Sequence, residues 1–161
     1  MGERSSPHGG LLPTASSIIV MPIGSDVVSG HVVDASVLVA ALVDSGMAGS
    51  WSEKVIAEGT VIAPELSIVE ALNILRRLEL AGEITELEAA SAQRDLHELP
   101  IELVSVRPFE DRIWQLRHNL TCYDAWYVAV AEALDLPLAT LDRRLVRATG
   151  PLCSFRIPDR D

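Results

Sequence analysis

The stretch HVVDASVLVAALV, residues 31–43, carries the change of hydrophobic period on which the fold turns. HVVD is a short apolar run ending in an acid, as a buried strand would be, and ASVLVAALV continues with helix-compatible spacing. Asp34 therefore stands at a strand end, in the position where a helix cap belongs. The same alternation recurs downstream. SWSEKVIAEG (50–59) reads as a second helix with Ser50 as cap and Gly59 as stop, and TVIA (60–63) as a second strand. Pro64 is placed in the first turn of a long helix that runs to about Leu80 and is closed by Gly82. A fourth helix spans Thr85 to about Glu98, opened by the pattern Thr85-x-x-Glu88 and halted at Pro100.

IELVSV (101–106) is the third strand, and FEDRIWQLRHNL (109–120) an amphipathic helix. TCYDAWYVAVAEALDL (121–136) is nearly apolar from Ala125 to Leu134 and is expected to be the most buried helix, with Asp124 in its opening turn. LPLAT (136–140) forms the fourth strand, DRRLVRA (142–148) a short helix, and CSFRI (153–157) a candidate edge strand. Strands alternating with helices predict an α/β fold whose mainly parallel sheet is covered on both faces and binds ligands at the carboxyl ends of its strands. Asp34 and Asp142 both fall at such ends, so acids from different strands can meet at one rim.

Composition narrows the function. A chain of 161 residues, 48% of them apolar, is expected to form one domain with a real core, and its apolar runs are too short to span a membrane. Residues 1–29, with MGERSSPHGG, Pro13 and Pro22, read as a flexible tail or, if Met21 is the true start, as partly untranslated; residues 30–161 form the domain. The lone Arg4 beside Glu3 makes a poor secretory signal. Cys122 and Cys153 lack CxxC spacing and the four histidines are scattered, which leaves core thiols in a reducing cytoplasm and no nitrogen or sulfur metal site. A formal charge of -10 argues against a protein that coats nucleic acid. The arginines concentrate in Arg76-Arg77 and Arg143-Arg144, close in sequence to Glu70 and Asp142, as local phosphate contacts or as an ordinary solvated helix face.

Each acid taken singly has an ordinary explanation. Asp34 and Asp142 could cap the helices that follow them, and Asp124 could complete a capping box with Thr121. Glu70 sits off the apolar stripe Ile68, Leu72, Leu75, on a face shared with Asn73 and Arg77, and its i+4 neighbour is Ile74 rather than a base. Taken together, the four carboxylates stand after strands, at helix starts and in one helix, where an α/β chain could gather them. Nothing in their spacing dictates a cluster, but such a set would suit a hard cation, Mg²⁺ or Mn²⁺, and metal-dependent phosphodiester chemistry. A haloacid-dehalogenase phosphatase is disfavoured because DASVL lacks a second aspartate two residues on, and a response-regulator receiver because Lys54 is the only lysine.

VVDASVLVAAL, PELSIVEALNILRR and NLTCYDAWYVAVAEALDLPLATLDRRL together resemble the PIN-domain ribonucleases, most closely the VapC toxins of bacterial toxin–antitoxin pairs, over residues 31 to about 157. The resemblance implies a three-layer sandwich. It implies an endoribonuclease that hydrolyses RNA with a metal-activated water, leaving a 5′-phosphate and a 3′-hydroxyl. Asp34, Glu70 and Asp124 would be metal ligands, directly or through water, with Asp142 serving a second ion or its waters; Ser36 and Thr140 would support them. Arg76, Arg77, Arg143 and Arg144 would contact substrate. The expected partners are a VapB-type antitoxin and a second copy in a homodimer. A catalytically silent PIN-like binding module and a DNA-cutting nuclease remain the alternatives, and one ion or two stays open.

Overall fold

A computed structural model describes residues 29–159; the expectations for residues 1–28 lie outside the described residues. The chain runs β1 (Gly30–Val33), α1 (Ala35–Val43), α2 (Met47–Ala57), β2 (Thr60–Pro64), α3 (Leu66–Leu80), α4 (Glu86–Glu98) and β3 (Ile101–Val104). A 3₁₀ turn (Arg107–Phe109) then leads into α5 (Glu110–Leu116), α6 (Cys122–Leu134), β4 (Leu138–Ala139), α7 (Arg143–Arg147) and β5 (Phe155–Arg156). The five strands lie in the order β3-β2-β1-β4-β5 and every pairing is parallel.

Alternation along the strands sorts the core into two layers, because successive side chains point to opposite faces of the sheet. Val33, Val61, Ala63 and Ala139 pack with Val37, Leu38, Val55, Ala71, Leu75 and Leu96 of α1 to α4. Val32, Ile62 and Leu138 pack with Ile113, Leu116, Val128 and Leu145 of α5 to α7. Each fully buried valine or leucine contributes about 1.5–3 kcal/mol relative to exposure. The three-layer α/β sandwich expected from the sequence is thus present, and the expected edge strand is β5.

Strands β3, β4 and β5 are shorter than expected, and three further boundaries differ. Pro64 ends β2, paired with Val104, and does not open α3. The β1–β2 ladder has stopped by Ile62, so the missing N–H removes no bond on that side. Ser50 is inside α2, whose cap is Gly46; the Gly46 amide donates to Asp44 Oδ1 at 2.6 Å. The earlier start follows from Gly49, where a Cβ would come within 1.7 Å of the Asp44 carbonyl oxygen, so only glycine lets α2 pack this closely against the end of α1. The fifth helix stops at Leu116 rather than Leu120: Asn119 and Leu120 both donate to the Leu116 carbonyl, and Arg117 turns back to the Trp114 carbonyl at 2.6 Å.

An ion pair fastens the last loop. Arg112 Nε and Nη2 donate to Glu132 at 2.6 and 3.0 Å, Nη2 also donates to the Gly150 carbonyl at 3.0 Å, and the Leu152 amide donates to Glu132 Oε1 at 2.7 Å. Burial opposes the charge on Glu132, but Arg112 and the Leu152 amide outweigh it and hold its carboxyl below the usual range. A carboxyl whose folded pKa is depressed contributes stability above its unfolded value and loses it as pH falls through the folded one. Glu132→Gln is therefore expected to lower the melting temperature at neutral pH by roughly 2–8 °C, given about 1–2 kcal/mol for a charged hydrogen-bonded partner. The deficit should narrow below about pH 4. Thermal melts across pH check this; a deficit that grows on acidification contradicts it.

Candidate active site

The order of the strands reverses beside β1: β2 and β3 extend the sheet in one direction, β4 and β5 in the other. In open α/β sheets such a switch point leaves a crevice at the carboxyl ends of the strands. Asp34 immediately follows β1 there, and its amide donates to the Ala139 carbonyl at 3.2 Å. Its carboxylate caps α1, accepting from the amides of Ser36 at 3.0 Å and Val37 at 3.2 Å. Ser36 Oγ and Thr140 Oγ1 each donate to one of its two oxygens. Those hydroxyls in turn accept from the amides of Leu141 at 3.2 Å and Asp142 at 2.9 Å. The turn after β4 is thereby tied to the acid after β1, and Ser36 and Thr140 hold the carboxylate in place. Burial pushes the Asp34 carboxyl above its ordinary range against the pull of these hydrogen bonds.

Glu70 projects from α3 and accepts a hydrogen bond from the hydroxyl of Tyr127 on α6. Burial raises its pKa, the Tyr127 hydroxyl lowers it, and the charges of Asp124 and Asp34 raise it further, for a net upward shift. Both aspartates therefore lie within electrostatic reach of Glu70. Tyr127 is buried and its hydroxyl stays protonated, raised by burial first and by Glu70 next. Asp124 is in the first turn of α6, where its amide donates to Thr121 Oγ1 at 3.1 Å and the Thr121 hydroxyl donates to Oδ2 at 2.8 Å. Asp142 caps α7 through the Arg144 amide at 2.8 Å and pairs with the Arg144 guanidinium through Nε at 3.2 Å and Nη2 at 3.0 Å. Arg144 holds the Asp142 carboxyl below its usual range.

Asp34 and Asp142 thus cap their helices as expected. At Asp124 the cap is Thr121, whose hydroxyl bonds the Asp124 amide and carboxylate without the return bond to its own amide that would complete a capping box. None of these contacts competes with a site. All four carboxylates line one cleft of about 300 Å³. Their oxygen donors suit a hard divalent cation in kind. Among the described residues, however, no three His, Cys, Asp or Glu side chains stand close enough together to hold an ion as they are placed. Each acid is turned instead toward a hydroxyl or, at Asp142, a guanidinium. A carboxylate oxygen that accepts one hydrogen bond keeps a further lone pair, so ligation requires the side chains to converge on the ion and not to give up these partners.

The arginine pairs are split. Arg77 and Arg144 line the cleft, but Arg76 and Arg143 do not. Arg76 is exposed on another face of α3, and Arg143 Nη2 reaches the Pro158 carbonyl at 3.5 Å. Adjacent residues on a helix point about 100° apart, and here the rotation of α3 and α7 turns Arg77 and Arg144 to the cleft and their neighbours Arg76 and Arg143 away from it. Tyr127, not anticipated as a site residue, lines the cleft as well. Its signal was its place three residues after Asp124, which puts both on one helix face.

Residues 31–151 match the family model described as PIN domain. The chain is 41% identical over 130 residues to Ribonuclease VapC1 of Mycobacterium tuberculosis, a match covering 78% of this chain and 96% of that protein. Among solved structures it is similar to VapC20 of Mycobacterium tuberculosis, a Sarcin-Ricin loop cleaving toxin, with TM-score 0.56 and 17% identity over 73% of this chain and 93% of that one. VapBC2 from Rickettsia felis, bound to a DNA fragment from its promoter, matches with TM-score 0.55 and 12% identity, over 80% of this chain and 98% of that one. At these identities the two structures speak to the fold.

Proposed function

Because the chain belongs to the PIN-domain family, with a VapC ribonuclease as a relative along most of its length, we propose that it is a divalent-metal-dependent endoribonuclease acting as the toxin of a type II toxin–antitoxin pair. The observation that carries this reading is the cleft that collects Asp34, Glu70, Asp124 and Asp142 from four separate segments. Asp34, Glu70 and Asp124 would hold Mg²⁺ or Mn²⁺, with Asp142 at the same wall. When bound, the ion supplies Lewis-acid chemistry, acidifying an attacking water and offsetting charge on the leaving oxygen.

The chain's own residues prepare that chemistry. Ser36 and Thr140 fix both oxygens of Asp34, and Tyr127 orients Glu70. Burial of Glu70, together with the charges of Asp124 and Asp34 beside it, raises the free energy of the ion-free site, which favours cation uptake. Two divalent ions would still leave a net charge of about -6, so RNA must be held by local cations and shape. Arg77 and Arg144 are the arginines at the cleft. A VapB-type antitoxin with a basic arm suits this acidic cleft, and a homodimer formed through helices accompanies the reading. Cys122 and Cys153 are both free thiols, as suits a reducing cytoplasm, but neither is the core thiol expected: Cys122 is exposed in the first turn of α6 and Cys153 is half-buried.

The deciding experiment maps RNA ends after brief expression in cells and repeats cleavage with purified protein in EDTA, Mg²⁺ and Mn²⁺. Cleavage lost in EDTA and restored by either ion supports the reading; full activity of verified metal-free protein removes it. Preference for DNA oligonucleotides would indicate the DNA-cutting alternative, and no cleavage of either nucleic acid the silent binding module.

Arg77→Ala is expected to weaken binding of a labelled randomised RNA pool in EDTA and to reduce the salt slope by about 1, as for the loss of one phosphate contact. Arg76→Ala should leave both unchanged. Equal effects at the two positions would show that general charge, not the cleft, attracts RNA.

A further inference from the structure

Asp142 is engaged differently from the other three acids. Its Oδ1 accepts from the Arg144 amide and from Nε, and its Oδ2 from Nη2, so both carboxylate oxygens are committed to one neighbouring residue. Capping α7 requires only the amide contact. The ion pair itself adds little to stability, since the Arg144 side chain is 92% exposed and exposed pairs contribute marginally. The pair does fix a direction. Guanidinium has five N–H donors in a planar fork, and engaging Nε with Nη2 leaves the two Nη1 hydrogens and one on Nη2 free. That free edge belongs to a residue lining the same cleft as Asp34, Glu70 and Asp124. Arg77 lines the cleft from α3 and Arg144 from α7, so two cations stand on different elements around a carboxylate-lined cleft.

We propose that Asp142 is a positioning residue rather than an ion ligand: it aims the Arg144 fork at a phosphate of the RNA backbone next to the scissile bond. The inference rests on the ribonuclease reading and departs from it in removing Asp142 from the ion's donors. Asp142 then affects how substrate is held, and Asp34, Glu70 and Asp124 alone answer for the cation. Asn at 142 still caps α7, so folding is preserved while the charged anchor is lost.

The test compares Asp142→Asn, Arg144→Gln and the double variant in two measurements. The first is binding of a labelled randomised RNA pool in EDTA, where no cleavage occurs. The second is the rise in melting temperature caused by Mg²⁺ or Mn²⁺ without RNA. Both single variants are expected to weaken RNA binding by a similar factor, roughly two- to fivefold, with the double variant no weaker than either. All three should keep the wild-type melting response to the ion. Arg144→Lys retains a charge but not the fork, so it should bind less tightly than wild type and become insensitive to Asp142→Asn. Loss of the ion response in Asp142→Asn but not in Arg144→Gln would make Asp142 a ligand and overturn the proposal. Additive losses, or unchanged RNA binding in both single variants, would overturn it as well. If the wild type responds to the ion yet binds and cleaves no RNA, the ribonuclease reading itself falls, and with it Arg144's part; the melts still show whether Asp142 is a ligand.

Discussion

Asp34→Asn, Glu70→Gln and Asp124→Asn will each leave no more than about a hundredth of wild-type RNA cleavage in saturating Mg²⁺, the scale of loss when a preorganised electrostatic group is removed. These substitutions keep shape while removing charge. Asn at 34 still accepts from the Ser36 and Val37 amides, and Gln at 70 still accepts from the Tyr127 hydroxyl, so the hydrogen bonds that place these side chains largely survive. Asp124 is held through its amide and the Thr121 hydroxyl, both of which tolerate an amide side chain. Initial rates on RNA, with circular dichroism to confirm folding, measure the effect. A folded variant at any of the three positions that retained a tenth or more of the rate would place that acid outside the catalytic set.

The second large effect is a reversal of stability order. Asp34 is 7% exposed, and burial outweighs its hydrogen bonds, so its ionised form is held at a cost in the ion-free protein. Asp34→Asn relieves that cost and the repulsion toward Glu70 at the price of the Thr140 hydroxyl's acceptor. In EDTA at neutral pH the variant should melt higher than wild type by roughly 2–4 °C, corresponding to about 1 kcal/mol. With Mg²⁺ at 100 times its dissociation constant, wild type gains about 2.7 kcal/mol, or roughly 5–11 °C, most of which the variant forgoes. The order then inverts. Melts in EDTA and in Mg²⁺ or Mn²⁺ decide it. A variant that melts lower than wild type in EDTA, in a protein indifferent to both ions, would leave Asp34 as a helix cap and nothing more.

The strand–helix alternation was legible because it is a local signal: HVVD and ASVLVAALV differ in period within thirteen residues, and each later boundary had a comparable cue. The capping box at Thr85 and Glu88 formed as expected, with the Glu88 amide 3.2 Å from Thr85 Oγ1 and the Thr85 amide 2.7 Å from Glu88 Oε2. Ser50 and Pro64 were misplaced because local rules favour a cap at serine and a helix start at proline. Tertiary demands outweighed both preferences. Gly49 had to touch the Asp44 carbonyl, and β2 had to extend to reach Val104.

The site divides in the same way. The amino-acid sequence determined which acids follow strands and which hydroxyls lie two residues from an acid, since these depend on spacing along one element. The packing stripe of α3 was misplaced at Leu72, which is exposed, because Ser67, Ala71 and Leu75 form the buried face. Only the tertiary structure decided that β4 lies beside β1, which brings Thr140 to Asp34 across 106 positions of chain, and that α6 meets α3, which gives Glu70 its Tyr127. It also decided that Arg77 and Arg144 line the cleft while their sequence neighbours do not, and that Asp142 is paired with a guanidinium. Contacts of this kind depend on how helices rotate and pack over the sheet, which buried side-chain volume sets across the whole core and no local pattern encodes.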